Sequence, residues 1–250
     1  MTIPCRSDIV FFKSNPEAHH GPETRSERNR HIQGLPDDQC DSDFIVRSLP
    51  MWTWSLNWGQ ITPEIIIGTC PMTNNDLKYI QSKTGVSAAL SLQHDDCLSH
   101  WHIDYDEMSR TAVKLNIKML RCPIKDFDVS DMRRNLPKAV SLLDKLISEG
   151  HKTYVHCTAG MGRAPLTVLS YFIWFKELTP EDAIKIILEG RPEAVPSWEA
   201  LYGAKEDIVR LHRFEIERRA FQLYQLGIHN DPNSDWIQAE NEVIRSTLSA

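Results

Sequence analysis

The chain has 250 residues, 41% of them hydrophobic, and a formal net charge of −6 at pH 7. That length suits one catalytic domain with extensions, and the acidic balance argues against nucleic acid or an anionic membrane as the main partner. No apolar run approaches the roughly 20 residues of a membrane span, and six cysteines scattered without a signal peptide imply reduced thiols in a cytoplasmic compartment.

Residues 1–50 read largely as a flexible lead-in. From residue 13 to 43 they are polar, mixed in charge and punctuated by Pro16, Pro22, Gly34 and Pro36. Glu17, Glu23, Glu27, Asp37, Asp38, Asp41 and Asp43 argue against an organelle transit peptide, which is poor in acids. His19-His20 lies in this solvated stretch, and with no Cys-x-x-Cys or His/Cys cluster in the chain, no metal site is implied.

From Phe44 the chain becomes apolar, with Trp52, Trp54 and Trp58 followed by Glu64-Ile65-Ile66-Ile67-Gly68, a buried-strand pattern. Thr73 is placed to cap a short helix carrying Leu77 and Ile80 on one side. Val86 to Leu92 predicts a strand, Asp104 to Leu115 a helix through Met108, Ala112 and Leu115, and Ile117 to Cys122 a further strand. A long helix is expected from about Ser130 to Glu149, with Pro137 forcing a kink or a later start.

The next stretch organises the rest. Lys152 to Val155 predicts a strand and Pro165 to Phe175 an apolar helix; between them run His156, Cys157, Thr158, Ala159, Gly160, Met161, Gly162 and Arg163. Small residues at a strand-to-helix turn let backbone N–H groups form a concave nest, and the following helix aims its positive end at the same point. Arg163 can fork onto two phosphate oxygens. Cys157 at the mouth of the nest is expected to sit as the thiolate, the form that attacks phosphorus.

Gly160-Met161-Gly162 is not a dinucleotide fingerprint, because Pro165 stands where the third glycine belongs. The loop also lacks the Gly-Lys-Ser/Thr of nucleotide-binding loops, so neither magnesium nor ATP is implied as a cofactor. After the helix, Thr179-Pro180-Glu181-Asp182 opens another and Gly190-Arg191-Pro192 ends it. Alternating strands and helices predict an α/β fold, a mixed central sheet flanked by helices.

A cysteinyl-phosphate route needs an acid for the departing oxygen and then a base for water. The loop 124–128 supplies two carboxylates, Asp126 and Asp128, of which Asp128 also suits a helix cap. His156 is expected to support the loop and to help hold the Cys157 thiolate.

His156-Cys157 followed after five residues by Arg163 resembles the cysteine-dependent protein tyrosine phosphatase superfamily. Its dual-specificity members carry the general acid about thirty residues ahead of the nucleophile, which makes Asp126 the first choice and Asp128 the alternate. Most members have Ser or Thr after the arginine, and here it is Ala164. The run Cys157 to Pro165 is similar to the loop of the plant starch-excess glucan phosphatases, relatives of laforin. So are Asn57-Trp58 with Ile61 to Cys70, Leu90 to Asp95, and Arg121 to Asp128, Phe127 included; together the matches span about residues 55–210.

That resemblance implies a phosphatase acting on phosphorylated α-glucan, with a phosphoprotein substrate as the alternative and a non-catalytic phosphate-binding scaffold as the third. Trp58, Trp101 and Phe127 are candidates for a sugar platform, since rigid rings suit the C–H faces of sugars; core packing is the competing role. The uncharged Thr158, Ala159 and Met161 disfavour inositol phospholipids. Neither end has room for a separate carbohydrate-binding sandwich of about 100 residues.

The segments Ile216 to Tyr224 and Asp235 to Glu240 resemble a short bacterial helix–loop–helix domain of unknown function. A hairpin packing Phe221, Tyr224 and Trp236 together is expected. The domain reading is therefore 1–50 flexible segment, 51–212 phosphatase domain and 213–250 helical extension.

Overall fold

A computed structural model describes residues 53–227, 229 and 231–249; the reading of 1–50 as a flexible segment lies outside them. In chain order the elements are β1 (Trp58–Gln60), β2 (Ile65–Gly68), α1 (Asn74–Thr84), β3 (Ala88–Gln93), α2 (Asp95–His100), α3 (Tyr105–Lys114) and β4 (Lys118–Ile124). There follow α4 (Val129–Ser148), β5 (Thr153–His156), α5 (Arg163–Phe175), α6 (Pro180–Gly190), α7 (Trp198–Leu211), α8 (Arg213–Leu226) and α9 (Pro232–Ser249). The strands form one sheet in the order β1-β2-β5-β3-β4, antiparallel only at β1–β2. This is the mixed, helix-flanked sheet expected.

β5 is the middle strand, and its residues alternate between two cores. Val155 joins Ile65, Ile67, Leu90 and Leu92 on the face covered by α4 and α5, while Tyr154 joins Ile66 and Ala89 on the face of α1 and α3. Burial on both faces explains why Ile65-Ile66-Ile67 reads as a continuous apolar run rather than an alternating one. Each such side chain fully removed from water contributes about 1.5–3 kcal/mol.

Local signals acted where they were placed. Thr73 and Asp76 form a reciprocal capping box at α1, and Thr179 caps α6 with Pro180 in its first turn; Asp104 adds a cap at α3 that was not read from the sequence. α4 runs from Val129 through Pro137, which excludes the later start of the two alternatives that the proline offered. Two expectations change. α5 begins at Arg163, two residues early, because Pro165 still lies in the first turn, where no backbone donor is required. β1, α2 and α7 are additional elements.

The C-terminal hairpin also departs from expectation. α8 faces α9 through Ile216, Ala220 and Leu223, which meet Ala239, Val243 and Trp236. Phe221 and Tyr224 are instead 59% and 62% exposed. Ile216, Ala220 and Leu223 recur at helical spacing, which turns Phe221 and Tyr224 off the buried stripe. The hairpin is seated on the phosphate-loop domain: Ile244 and Leu248 of α9 belong to the main core, and Lys205–Glu240 and Arg245–Glu177 ion pairs of 2.8 and 2.6 Å flank it.

Candidate active site

The loop 157–162 leaves the carboxyl end of β5 and enters α5, the position where open α/β sheets hold ligands. Its backbone is held from outside at four consecutive carbonyls. Cys70 donates its N–H to Thr158 O at 3.0 Å. The Arg191 guanidinium donates to Ala159 O at 2.9 Å and to Gly160 O at 3.3 Å. Val195 N–H reaches Met161 O at 2.7 Å.

A trans peptide points its N–H opposite to its C=O. The N–H groups of Ala159, Gly160, Met161 and Gly162 are therefore turned into the concavity, where they form an anion nest together with the first turn of α5. Gly160 permits the turn: its φ is +67°, and a Cβ there would lie 2.4 Å from Gly68 O.

Arg163 is 1% exposed and its guanidinium is committed on several sides. It donates to Ile124 O at 2.8 Å, to Thr158 Oγ1 at 3.3 Å, to Cys97 Sγ at 3.4 Å and to the Asp126 carboxylate at 2.6 Å. Burial works against its charge, but Cys157, Asp126 and Cys97 together outweigh that and hold Arg163 above the usual arginine range. Gln93, 1% exposed, donates to the same Thr158 hydroxyl at 3.4 Å.

Cys157 is 3% exposed at the base of the nest. Burial, and then the neighbouring Cys157, pushes the Cys70 thiol far above the ordinary thiol range. Cys70 is thus an inert neutral thiol beside Cys157.

His156 closes β5, one residue ahead of Cys157. It is 2% exposed and its Nδ1 lies 3.2 Å from Cys157 O, as a supporting role requires. Burial first, and the charge of Arg163 third, push it from about 6.5 to about 4 against the bond to Cys157 O. The ring is therefore neutral near pH 7 with Nδ1 as donor, and lends Cys157 orientation rather than positive charge.

The acid loop separates its two carboxylates. Asp126 is drawn to Arg163, whereas Asp128 accepts from Asp131 N at 2.9 Å as the N-cap of α4. Asp131 in turn accepts from Lys125 N at 2.8 Å, tying the loop to the helix. Between them Phe127 has φ +57° and is 93% exposed. A bulky residue in the left-handed region with its ring in water is a costly arrangement of the kind found at functional loops.

The structure thus brings together Cys157, Thr158, Ala159, Gly160, Met161, Gly162, Arg163 and Asp126, with Phe127 at the rim of the acid loop. Trp58 and Trp101 are half-buried against the second core; Trp58 meets Tyr79 edge-on at 6.1 Å and Trp101 meets His100 at 5.1 Å. Ala164 is fully buried, and the hydroxyl of Thr167, the next residue of α5 that could supply one, is bound to Arg163 O at 3.0 Å. The hydroxyl that stands at the arginine is Thr158. Arg191, Gln93 and Cys97 were not legible as site residues; Arg191 reads in sequence only as part of a helix stop. Among the described residues, no cluster of three or more metal-ligating side chains occurs and no helix is long and apolar enough to cross a membrane.

The phosphoglucan phosphatase DSP4 (amyloplastic) of Castanea sativa is 35% identical over 226 residues, covering 82% of this chain and 58% of that one. Laforin of Mus musculus is 24% identical over 168 residues, covering 61% and 49%. This chain therefore spans about half the length of those relatives. Among solved structures, kinase associated phosphatase has a TM-score of 0.50 at 15% identity, with 65% of this chain and 98% of that one superposed, a likeness of fold. The sequence profile of the dual specificity phosphatase catalytic domain matches residues 73–206, more than half of the chain and all of the loops just described. By that match and by the architecture of its nest, the chain belongs to the dual specificity phosphatase family.

Proposed function

We propose that this chain is a metal-independent phosphoric monoester hydrolase that removes phosphate from an α-glucan through a cysteinyl-phosphate intermediate. The observation that carries the chemistry is the convergence of Cys157, the inward-facing loop and Arg163 with Asp126 at 2.6 Å. The Cys157 thiolate attacks phosphorus, the S–P bond forms, and the bond to the sugar oxygen breaks as Asp126 gives that oxygen its proton. Asp126 then takes a proton from water, the hydroxide oxygen attacks phosphorus, and inorganic phosphate leaves the thiolate. An incoming phosphate dianion competes for the Arg163 nitrogen that Asp126 holds. Substrate binding thus releases the carboxylate toward the leaving oxygen.

The glucan assignment is supported by the likeness to DSP4, whose name records phosphoglucan phosphatase activity. The uncharged Thr158, Ala159 and Met161 and the exposed Phe127 ring also favour a neutral polymer over a polyanionic lipid. We assign residues 51–212 to the phosphatase domain and 213–250 to a helical extension. A reducing compartment such as the cytoplasm fits the free thiols Cys70, Cys97, Cys122 and Cys157.

The test is phosphate release from solubilised phosphoglucan, a phosphopeptide and an aryl phosphate side by side. Glucan should be preferred over phosphopeptide. Release from glucan at background, with rapid phosphopeptide hydrolysis, would replace the glucan by a phosphoprotein substrate.

A further inference from the structure

α7 begins beside the phosphate loop and carries two stacked rings on its outer surface. Val195 N–H binds Met161 O at 2.7 Å, Ser197 then caps the helix, and Trp198 is its first residue. Three residues of extended chain reach at most about 11 Å, so Trp198 lies within that span of the residue bound to the loop. Trp198 and Tyr202, one turn apart, stack with ring centroids 6.0 Å apart and planes at 25°. Ala200, Leu201, Ala204 and Ile208 face the core, which leaves the rings on the other side of the helix. Tyr202 is 53% exposed and Val195 58%, and Trp198 is half-buried.

The helix that bears the rings is firmly seated. It lies along α4, which starts just behind the acid loop. Arg133 of α4 donates to Asp207 at 2.6 and 2.7 Å, and Gly203 leaves room for it, since a Cβ there would lie 2.8 Å from Arg133 Cδ.

We propose that Val195, Trp198 and Tyr202 form a subsite for the α-glucan chain: the phosphorylated glucose enters the nest, and neighbouring glucose units lie over the stacked rings. The inference rests on the glucan reading above and assigns it a second surface. That surface is continuous with the nest through the bond from Val195 to Met161, so a polymer whose phosphate occupies the nest reaches it. Rigid rings suit the C–H faces of sugars. The exposed charged residues between 192 and 206 are Glu193, Glu199 and Glu206, all acidic. Their carboxylates offer acceptors to sugar hydroxyls and repel an acidic phosphopeptide or a polyanion. The phosphate is thereby directed to the nest, and the uncharged part of the polymer to the rings.

The test is steady-state phosphate release from solubilised phosphoglucan and from a phosphopeptide, with wild type, Tyr202→Ala, Tyr202→Phe and Phe214→Ala, each checked for folding by circular dichroism. Tyr202→Ala should raise KM for phosphoglucan about tenfold with kcat kept, because contacts remote from the reacting bond are made equally in the ground and transition states. Tyr202→Phe keeps the ring and should stay near wild type. Phe214→Ala removes a ring that is 79% exposed on α8, away from the subsite, and should change nothing. The phosphopeptide KM should not follow the glucan KM in Tyr202→Ala. A wild type that releases no phosphate from glucan would remove the glucan reading and this subsite with it. Release that is rapid in wild type and equally good in Tyr202→Ala would overturn the subsite alone. A phosphopeptide KM that rises as far as the glucan KM, or an equal rise in Phe214→Ala, would likewise overturn it.

Discussion

Asp126 and Arg163 form an ion pair of 2.6 Å in which the arginine side chain is 1% exposed and the carboxylate 37%. The acid of the loop thus occupies the guanidinium that a substrate phosphate needs. Asp126→Asn removes both the proton donor and the competitor. Turnover of a sugar phosphate should fall about 10²–10⁴-fold, whereas inhibition by inorganic phosphate should become tighter. Aryl phosphate, whose leaving group needs little protonation, should lose much less. Asp128→Asn should change none of these, since asparagine caps a helix as well as aspartate, and Asp128→Ala should cost about 1 kcal/mol of stability with turnover kept. Equal losses for the Asp126 and Asp128 variants would remove the distinction.

Arg191 joins residues far apart in sequence: it grips Ala159 O and Gly160 O and donates to Asn57 Oδ1. Nothing else among the described residues holds those two carbonyls, so their peptides should rotate when it is lost. Arg191→Ala should lower kcat/KM about a hundredfold, and Arg191→Lys should recover little because an ammonium cannot span the same three acceptors. A phosphate-binding constant measured alongside should weaken in parallel. Near-wild-type kinetics in Arg191→Ala would mean that the nest is rigid by itself.

His156 makes a prediction about acid. Burial lowers it from about 6.5 to about 4, so the unfolded chain takes a proton in this window that the folded chain refuses. Its contribution to stability is complete above about pH 6.5 and is lost as the pH falls toward about 4, at a total of about 3 kcal/mol. Urea midpoints measured across that window should fall in wild type and flatten in His156→Asn, whatever the variant's stability at neutral pH. Parallel curves would show that other groups govern acid unfolding.

The aromatic candidates should separate by where they stand. Phe127 is almost fully exposed, so Phe127→Ala should leave stability unchanged to within about 0.5 kcal/mol. Release from phosphoglucan should drop while the aryl phosphate rate holds, because binding energy remote from the reacting bond is available only to the polymer. Trp58 and Trp101 pack against the second core. Their alanine variants should cost about 1–3 kcal/mol of stability, less than a fully buried tryptophan. Loss on glucan alone would keep either residue in a sugar platform; equal loss on every substrate would return it to the core.

The features legible in sequence are those written in contiguous residues. The continuous Ile65-Ile66-Ile67 run, the Thr73 and Thr179 caps, and the strand–loop–helix around Cys157 each depend on near neighbours. Long-range partners left no such mark. Arg191 reaches the phosphate loop only because α6 ends beside it, and Cys97 approaches Arg163 only through the placement of α2. The neutral state of His156 likewise follows from complete burial, which its sequence neighbours do not reveal. Phe221 and Tyr224 misled in the opposite sense: aromatic size suggested a hairpin core, but the buried stripe is set by Ile216, Ala220 and Leu223.

The central claim is that phosphate passes through the sulfur of Cys157. The direct measurement is an acid quench in the first turnover with solubilised phosphoglucan, followed by mass spectrometry of the peptide containing Cys157. One phosphoryl group should appear on that cysteine in wild type; in Asp126→Asn, where the base for water is missing, it should accumulate when the substrate is an aryl phosphate, whose leaving group needs little protonation; Cys157→Ser should show neither thiophosphate nor release. Steady release of phosphate with no label on Cys157, or turnover surviving in Cys157→Ser, would contradict it.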